Sequence, residues 1–233
     1  MQKPQPQSHE KISKKDIHAG EIDAHLEHIS HEFTEGFELL RKYPKSVTMF
    51  GSSLIQRETP IYKTAEELAS RIIKETGYAV LTGGGPGLME AFNKGAKEAG
   101  GQSVGLNESL PHDHAVNTYL TDHIKFSYFF TRKAMMAFTA EAYVFFPGGF
   151  GTFDELFSIL TLIQTDKIPR VPVILFDSAY WNDVVTVIKG TMFEKFGTIK
   201  EKELGLFKVT DSPDEVIEII NKSPVSEWWK NLN

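Results

Sequence analysis

The chain has 233 residues, 41% hydrophobic and 24% charged, which is ordinary for a globular protein with one large α/β domain or two small ones. Its net charge of −6, with no dominant run of Lys and Arg, argues against wrapping DNA or RNA, which needs clustered cations to neutralise phosphates. The absence of cysteine removes disulfides, Cys-zinc sites, iron–sulfur clusters and thiol nucleophiles together.

Residues 1–20 are polar and carry Pro and Gln, so they read as a disordered tail without the apolar stretch of a signal peptide. No apolar run approaches the roughly 20 residues that span a bilayer, so the expected place is the cytoplasm, with no membrane partner. Over residues 21–44, Ile22, Leu26, Ile29, Phe33, Phe37 and Leu40 recur every three or four positions, and Pro44 stops the pattern; this predicts an amphipathic helix packed on the core or at a subunit interface. A βα alternation follows. Strands are predicted at 46–50, 78–82, 103–106, 123–126, 142–146, 171–176 and near 207–209, with helices at 61–76, 88–99, 128–139, 152–165, 179–189 and 213–221. Residues 107–121 read as a loop and 223–233 as a short tail, in which Trp228 and Trp229 would dock against the domain or a partner subunit.

Strands that are apolar on both faces and spaced by helices predict a parallel sheet covered on both sides. With no linker inside 45–222, the fold class is α/β: one doubly wound domain with ligands at the carboxyl ends of the strands, plus the added N-terminal helix.

Two glycine-rich turns follow predicted strands and open predicted helices, where unpaired N–H groups and a positive dipole end favour an anion. Gly83-Gly84-Gly85-Pro86-Gly87 has the wrong spacing for a dinucleotide fingerprint, and Gly149-x-Gly151 has Asp154 where the last glycine should be; neither carries a Walker lysine. The first turn is either a phosphate contact or a plain strand-to-helix turn with Pro86 at the first helical position. In the second, Thr152-x-x-Glu155 reads either as a capping box or as part of a binding site.

Pro147 to Glu155 fits the pattern PGGxGTxxE, and Arg132-Lys133-Ala134-Met135-Met136 precedes it by a helix. With Gly51-Ser52-Ser53 and Gly83-Gly84-Gly85 through Leu88-Met89, the chain resembles the Lonely Guy family of nucleotide phosphoribohydrolases, many of whose members carry the label "possible lysine decarboxylase". The resemblance covers roughly residues 45–190. It implies a Rossmann-like fold, a homodimer or higher homo-oligomer, no cofactor and no metal. It also implies hydrolysis of the N-glycosidic bond of a nucleoside 5′-monophosphate, AMP or an N6-prenylated (cytokinin) counterpart, to free base and ribose 5-phosphate. Arg132 and Glu155 match the family's catalytic pair. Lys133, Gly148, Gly149, Gly151, Thr152, Asp154 and Thr161 match substrate-contacting positions, and Asp113 aligns with a substrate-contacting Glu. Ser52, Gly84, Gly85, Phe150 and Met136 complete the expected substrate-binding set. The chain departs from the common pattern in a shorter first glycine loop, in Glu90 where Gly is usual, and in the added helix.

The chemistry suits these residue types. Breaking a C1′–N9 bond builds positive charge on the ribose, which a carboxylate, Glu155, would stabilise. Arg132 would face the charge that builds on the departing base. The 5′-phosphate would sit on the N–H groups of residues 149–152 and the Thr152 hydroxyl, and Met135 and Met136 would pack against the base. The competing reading is a non-catalytic nucleotide or molybdenum-cofactor carrier on the same fold. Lysine decarboxylation needs a Schiff-base lysine for pyridoxal phosphate, and no such arrangement is evident. His112 and His114 could suggest a metal but have few companions; His25, His28 and His31 read as a solvated helix edge.

Overall fold

The computed structural model describes residues 19–109, 116–138 and 140–223. Asp113, His112, His114, Trp228 and Trp229 lie outside the described residues. Helix α1 (Ala19–Arg41) leads into β1 (Ser46–Phe50), α2 (Pro60–Thr76), β2 (Ala79–Thr82), α3 (Leu88–Glu98), β3 (Ser103–Glu108) and β4 (Asp122–Phe126). Then come α4 (Phe129–Phe138), β5 (Ala142–Phe145), α5 (Phe150–Gln164), β6 (Val173–Phe176), α6 (Ser178–Val187), β7 (Lys208–Thr210) and α7 (Pro213–Lys222). Helix α6 runs on into a wider turn over Ile188–Lys195, and a short 3₁₀ segment spans Glu201–Leu206.

The seven strands form one sheet in the order β4-β3-β2-β1-β5-β6-β7, and every pairing is parallel. Strand β1 is buried along its whole length, whereas β4 at the edge alternates between covered and open positions. Alternate residues of each central strand feed two cores. Phe50, Leu81, Tyr143 and Phe145 pack with Leu156, Ile159 and Trp181 on one face; Val47, Met49, Val144 and Phe146 pack with Leu68, Phe92 and Val216 on the other. Each such large side chain contributes about 1.5–3 kcal/mol on burial, so the two faces carry the stability and the carboxyl edge is left for chemistry. The chain winds outward from β1 through β2 and β3 to β4, then returns to start β5 on the other side of β1. The switch point therefore lies between β1 and β5, where the Gly51-Ser52-Ser53 turn and the Pro147-Gly148-Gly149 turn leave the sheet side by side.

Three expectations are corrected. Helix α3 begins at Leu88 with Gly87 (φ 68°) as its cap, so Pro86 stands outside the helix rather than at its first position. Helix α5 begins at Phe150 with Gly149 as its cap and no side-chain capping bond, so Thr152 and Glu155 make no capping box. On α1 the expected apolar stripe is met only in part: Phe33 and Leu40 pack on the core beside buried Glu32, Gly36 and Leu39, while Ile22, Leu26 and Phe37 are exposed. A Cβ on Gly36 would lie 2.7 Å from the Met135 side chain, so the smallest residue marks where α1 meets α4.

Candidate active site

A cavity of about 410 Å³ opens at the switch point, within the range of small-molecule pockets. Its floor is Ser52 from the β1 turn and Gly85 from the β2 turn; Asn107 and Glu108 close β3's side, and the first turns of α4 and α5 form the remaining wall. The turns brace one another. Ser52 donates its N–H to the Pro147 carbonyl at 3.0 Å, and its own carbonyl takes the Leu88 N–H at 2.9 Å. Gly83 has no Cβ because one would stand 2.4 Å from the Arg132 guanidinium, so the glycine makes room for the arginine.

Arg132, on α4, is aimed by strand β3. Its Nε donates to the Leu106 carbonyl at 2.7 Å, which turns the guanidinium into the cavity. From there Nη1 lies 4.0 Å from Glu155 Oε1 and 3.9 Å from Glu108 Oε2, both longer than a charge-assisted hydrogen bond. Glu155, one turn into α5, is only 5% exposed, and its Oε2 is buried without a hydrogen-bond partner. Burial raises the Glu155 carboxyl to about 7, against the opposing pull of Arg132. Burial also lowers Arg132, against the pull of Glu155 and Glu108. A half-satisfied buried carboxylate costs stability, and perturbed groups of this kind concentrate at functional sites.

The two glycine turns differ in what they leave free. In the first, Gly84 gives its N–H to Thr82 Oγ1 and Leu88 gives its N–H to Ser52, so two of its donors are already engaged. In the second, the N–H groups of Phe150, Gly151 and Thr152 open α5 and meet no acceptor among the described residues. A Cβ at Gly149 or Gly151 would meet nothing within 4 Å, so the backbone there is open to a ligand.

The expected site residues separate. Arg132, Glu155, Ser52, Gly85, Met136, Gly149, Phe150, Gly151 and Thr152 line the cavity, with Phe150 at the rim and 97% exposed. Gly84 packs on Asn107 behind it, and Gly148 sits against Thr152 while its carbonyl accepts the Tyr180 hydroxyl at 2.5 Å. Lys133, Asp154 and Thr161 fall in a different, outer groove of about 690 Å³ between α4 and α5, where Lys133 holds Asp154 at 2.6 Å. Met135 turns into the core toward Gly36, so only Met136 of the pair reaches the cavity. Glu90 is drawn out of it by a two-pronged bond from Arg57 and a bond from the Tyr62 hydroxyl. Sequence reasoning missed Asn107 and Glu108, because 107–121 read as loop. Both close the carboxyl end of β3, the edge where ligands bind in such sheets, and that position was the available signal. No lysine lines the cavity among the described residues, which leaves no Schiff-base candidate there.

A family model described as "Possible lysine decarboxylase" matches residues 89–220. A cytokinin riboside 5′-monophosphate phosphoribohydrolase of Rhodococcoides fascians is 31% identical over 68% of this chain and 81% of its own length. The chain belongs to the Lonely Guy family. An Arabidopsis thaliana member carrying the same enzyme name is 27% identical over 78% of this chain and 79% of its own. Among solved structures, a molybdenum cofactor binding protein from Rippkaea orientalis is similar, with a TM-score of 0.56 at 21% identity, covering 76% of this chain and 96% of that one. That likeness is one of fold, and it supports the family's Rossmann-like sheet.

Proposed function

We propose that this protein hydrolyses the N-glycosidic bond of a nucleoside 5′-monophosphate, releasing free base and ribose 5-phosphate. The observation that carries the reading is Glu155: a buried carboxyl with one unpartnered oxygen, raised to about 7, in the cavity that the open N-terminus of α5 also borders. The named activity of the Rhodococcoides fascians and Arabidopsis thaliana relatives points the same way.

In this reading the 5′-phosphate sits on the N–H groups of Phe150, Gly151 and Thr152, where the positive end of α5 favours an anion. The ribose then lies toward Glu155. As the C1′–N9 bond breaks, its electron pair leaves with the base and C1′ becomes cationic; ionised Glu155 stabilises that charge. A water adds its oxygen to C1′, and Glu155, with its raised affinity for protons, accepts the proton the water sheds; the base anion takes up a proton from solvent, and Glu155 returns its own to solvent before the next turnover. Arg132 stays cationic and faces the charge developing on the base. Met136 and Phe129 offer the base an apolar wall. Lys133, Asp154 and Thr161 lie in the outer groove, one helix face away, where the Lys133–Asp154 pair ties α4 to α5 rather than touching this substrate. A carrier would gain nothing from burying Glu155 half-satisfied, which favours the enzyme over the carrier.

The test is chromatography of AMP, and in parallel N6-prenylated AMP, after incubation with the purified chain. Release of base together with ribose 5-phosphate in equal amounts is the expected result. Tight AMP binding with no base from either nucleotide would transfer the assignment to a carrier. The ratio of rates on the two nucleotides decides between adenine and a prenylated adenine.

A further inference from the structure

We propose that Glu32, on the added N-terminal helix, is a positioning residue for Arg132; the proposal rests on the glycosidase reading of the cavity. Helix α4 begins at Phe129, and like any helix it starts with N–H groups that lack intrahelical partners. At the entry to the helix an acceptor comes from Glu32, 95 residues before Ser127: it takes the Ser127 N–H at 2.5 Å, the Tyr128 N–H at 3.4 Å, and the Thr131 hydroxyl. Glu32 is 3% exposed, in a helix whose N-terminal turns are open to solvent.

The geometry links this carboxylate to the cavity in two short steps. The Thr131 hydroxyl lies between two acceptors, Glu32 and the Tyr128 carbonyl at 2.7 Å, which share its one proton, and the same carbonyl accepts the Arg132 N–H at 3.3 Å. Arg132 is the next residue after Thr131. The first turn of α4 is thus clamped to α1 on one side while Arg132 reaches Leu106 and the cavity on the other. The charge also has the right sign, since a carboxylate at a helix N-terminus opposes the positive end of the dipole. Gly36 and Met135 fix the depth at which α1 docks, and His28 sits 3.6 Å from Glu32 on the solvent side. The added helix therefore supplies a part of the catalytic apparatus without touching substrate.

The experiment is a double-mutant cycle on the full chain, with kcat and KM for AMP, the melting temperature of every variant, and AMP affinity by calorimetry. Glu32→Ala is expected to lower kcat about tenfold or more while KM moves less than about threefold, and Glu32→Gln, which keeps one acceptor oxygen, to recover part of the loss. In an Arg132→Ala background, Glu32→Ala is expected to change kcat by less than about twofold, because the group it positions is gone. Thr131→Val, which keeps Glu32 and removes the hydroxyl, reports on the same link should Glu32→Ala fold poorly. Equal losses with and without Arg132, or an unchanged kcat in a folded Glu32→Ala, would overturn the proposal. Should the wild type release no base at all, the glycosidase reading falls by itself, and AMP affinity takes the place of kcat in the cycle. A tenfold weakening that depends on Arg132 would then sustain the positioning role, and an unchanged affinity would end it.

Discussion

Two cation–carboxylate pairs join α4 to α5, and they are built from adjacent residues. Lys133 and Asp154 meet at 2.6 Å in the outer groove, partly exposed and mutually satisfied. Arg132 and Glu155 stand 4.0 Å apart inside the cavity, with side chains only 12% and 7% exposed and one carboxylate oxygen unpartnered. A pair placed for stability would be drawn the other way, tight where it is dry and loose where water can substitute. The buried pair is held apart because Arg132 is anchored to the Leu106 carbonyl and Glu155 to the frame of α5. The difference teaches where free bonding capacity has been kept, and in this fold it is kept at the switch point of the sheet.

Removing the carboxylate should have the largest effect. Glu155→Gln is expected to reduce base release from AMP by about 10²–10⁴-fold, the usual worth of a positioned acid–base group, measured as kcat by chromatography. Arg132→Ala comes next, at about 10²-fold in kcat/KM, as for loss of one charge-stabilising donor. Lys133→Ala or Asp154→Asn should cost less than about 1 kcal/mol in stability by denaturant melting, with activity within a few-fold of wild type. An outcome in which the outer pair mattered as much as the inner one would erase the contrast between them.

The stability of the fold sharpens the same contrast. Glu155 is raised from 4.5 to about 7 in the folded chain. Between those values the folded state holds a proton that the unfolded state has released. Its contribution is therefore present below about pH 4.5 and lost as pH rises through about 7. Glu155→Gln should remove that slope and gain up to about 3 kcal/mol over wild type at pH 8, read as melting at pH 5 and pH 8. Asp154→Asn should leave the slope in place.

Much of the sheet was legible because its strands are short, apolar on both faces and closed by Gly or Pro turns. The glycine turns could be named from their place between predicted strands and helices, and Arg132 and Glu155 from the resemblance to the Lonely Guy family. The side on which Lys133 acts could not. Helix α4 reads Phe129-Phe130-Thr131-Arg132-Lys133-Ala134-Met135-Met136, apolar nearly all round, so its periodicity does not say which face meets the cavity. Successive helical residues point about 100° apart, and tertiary packing alone sent one cation inward and the next outward. Thr152-x-x-Glu155 was open to a local capping reading, but Gly149 lets α5 start two residues before Thr152, which buries both side chains instead. Glu32 was illegible for a different reason: it caps a helix nearly a hundred residues away, and no local pattern announces such a bond.

The most direct measurement is the pH dependence of kcat/KM for AMP in the wild type and in Arg132→Ala. Glu155 must be ionised to act, so the wild-type rate should rise with pH along a limb with an apparent pKa near 7 and level off above it. Arg132 pulls that value down, so the limb should move to higher pH in Arg132→Ala, whereas any limb from the phosphate of AMP itself would stay in place. A limb near 4.5, or one unmoved by the loss of Arg132, would contradict a poised Glu155 at the centre of the site.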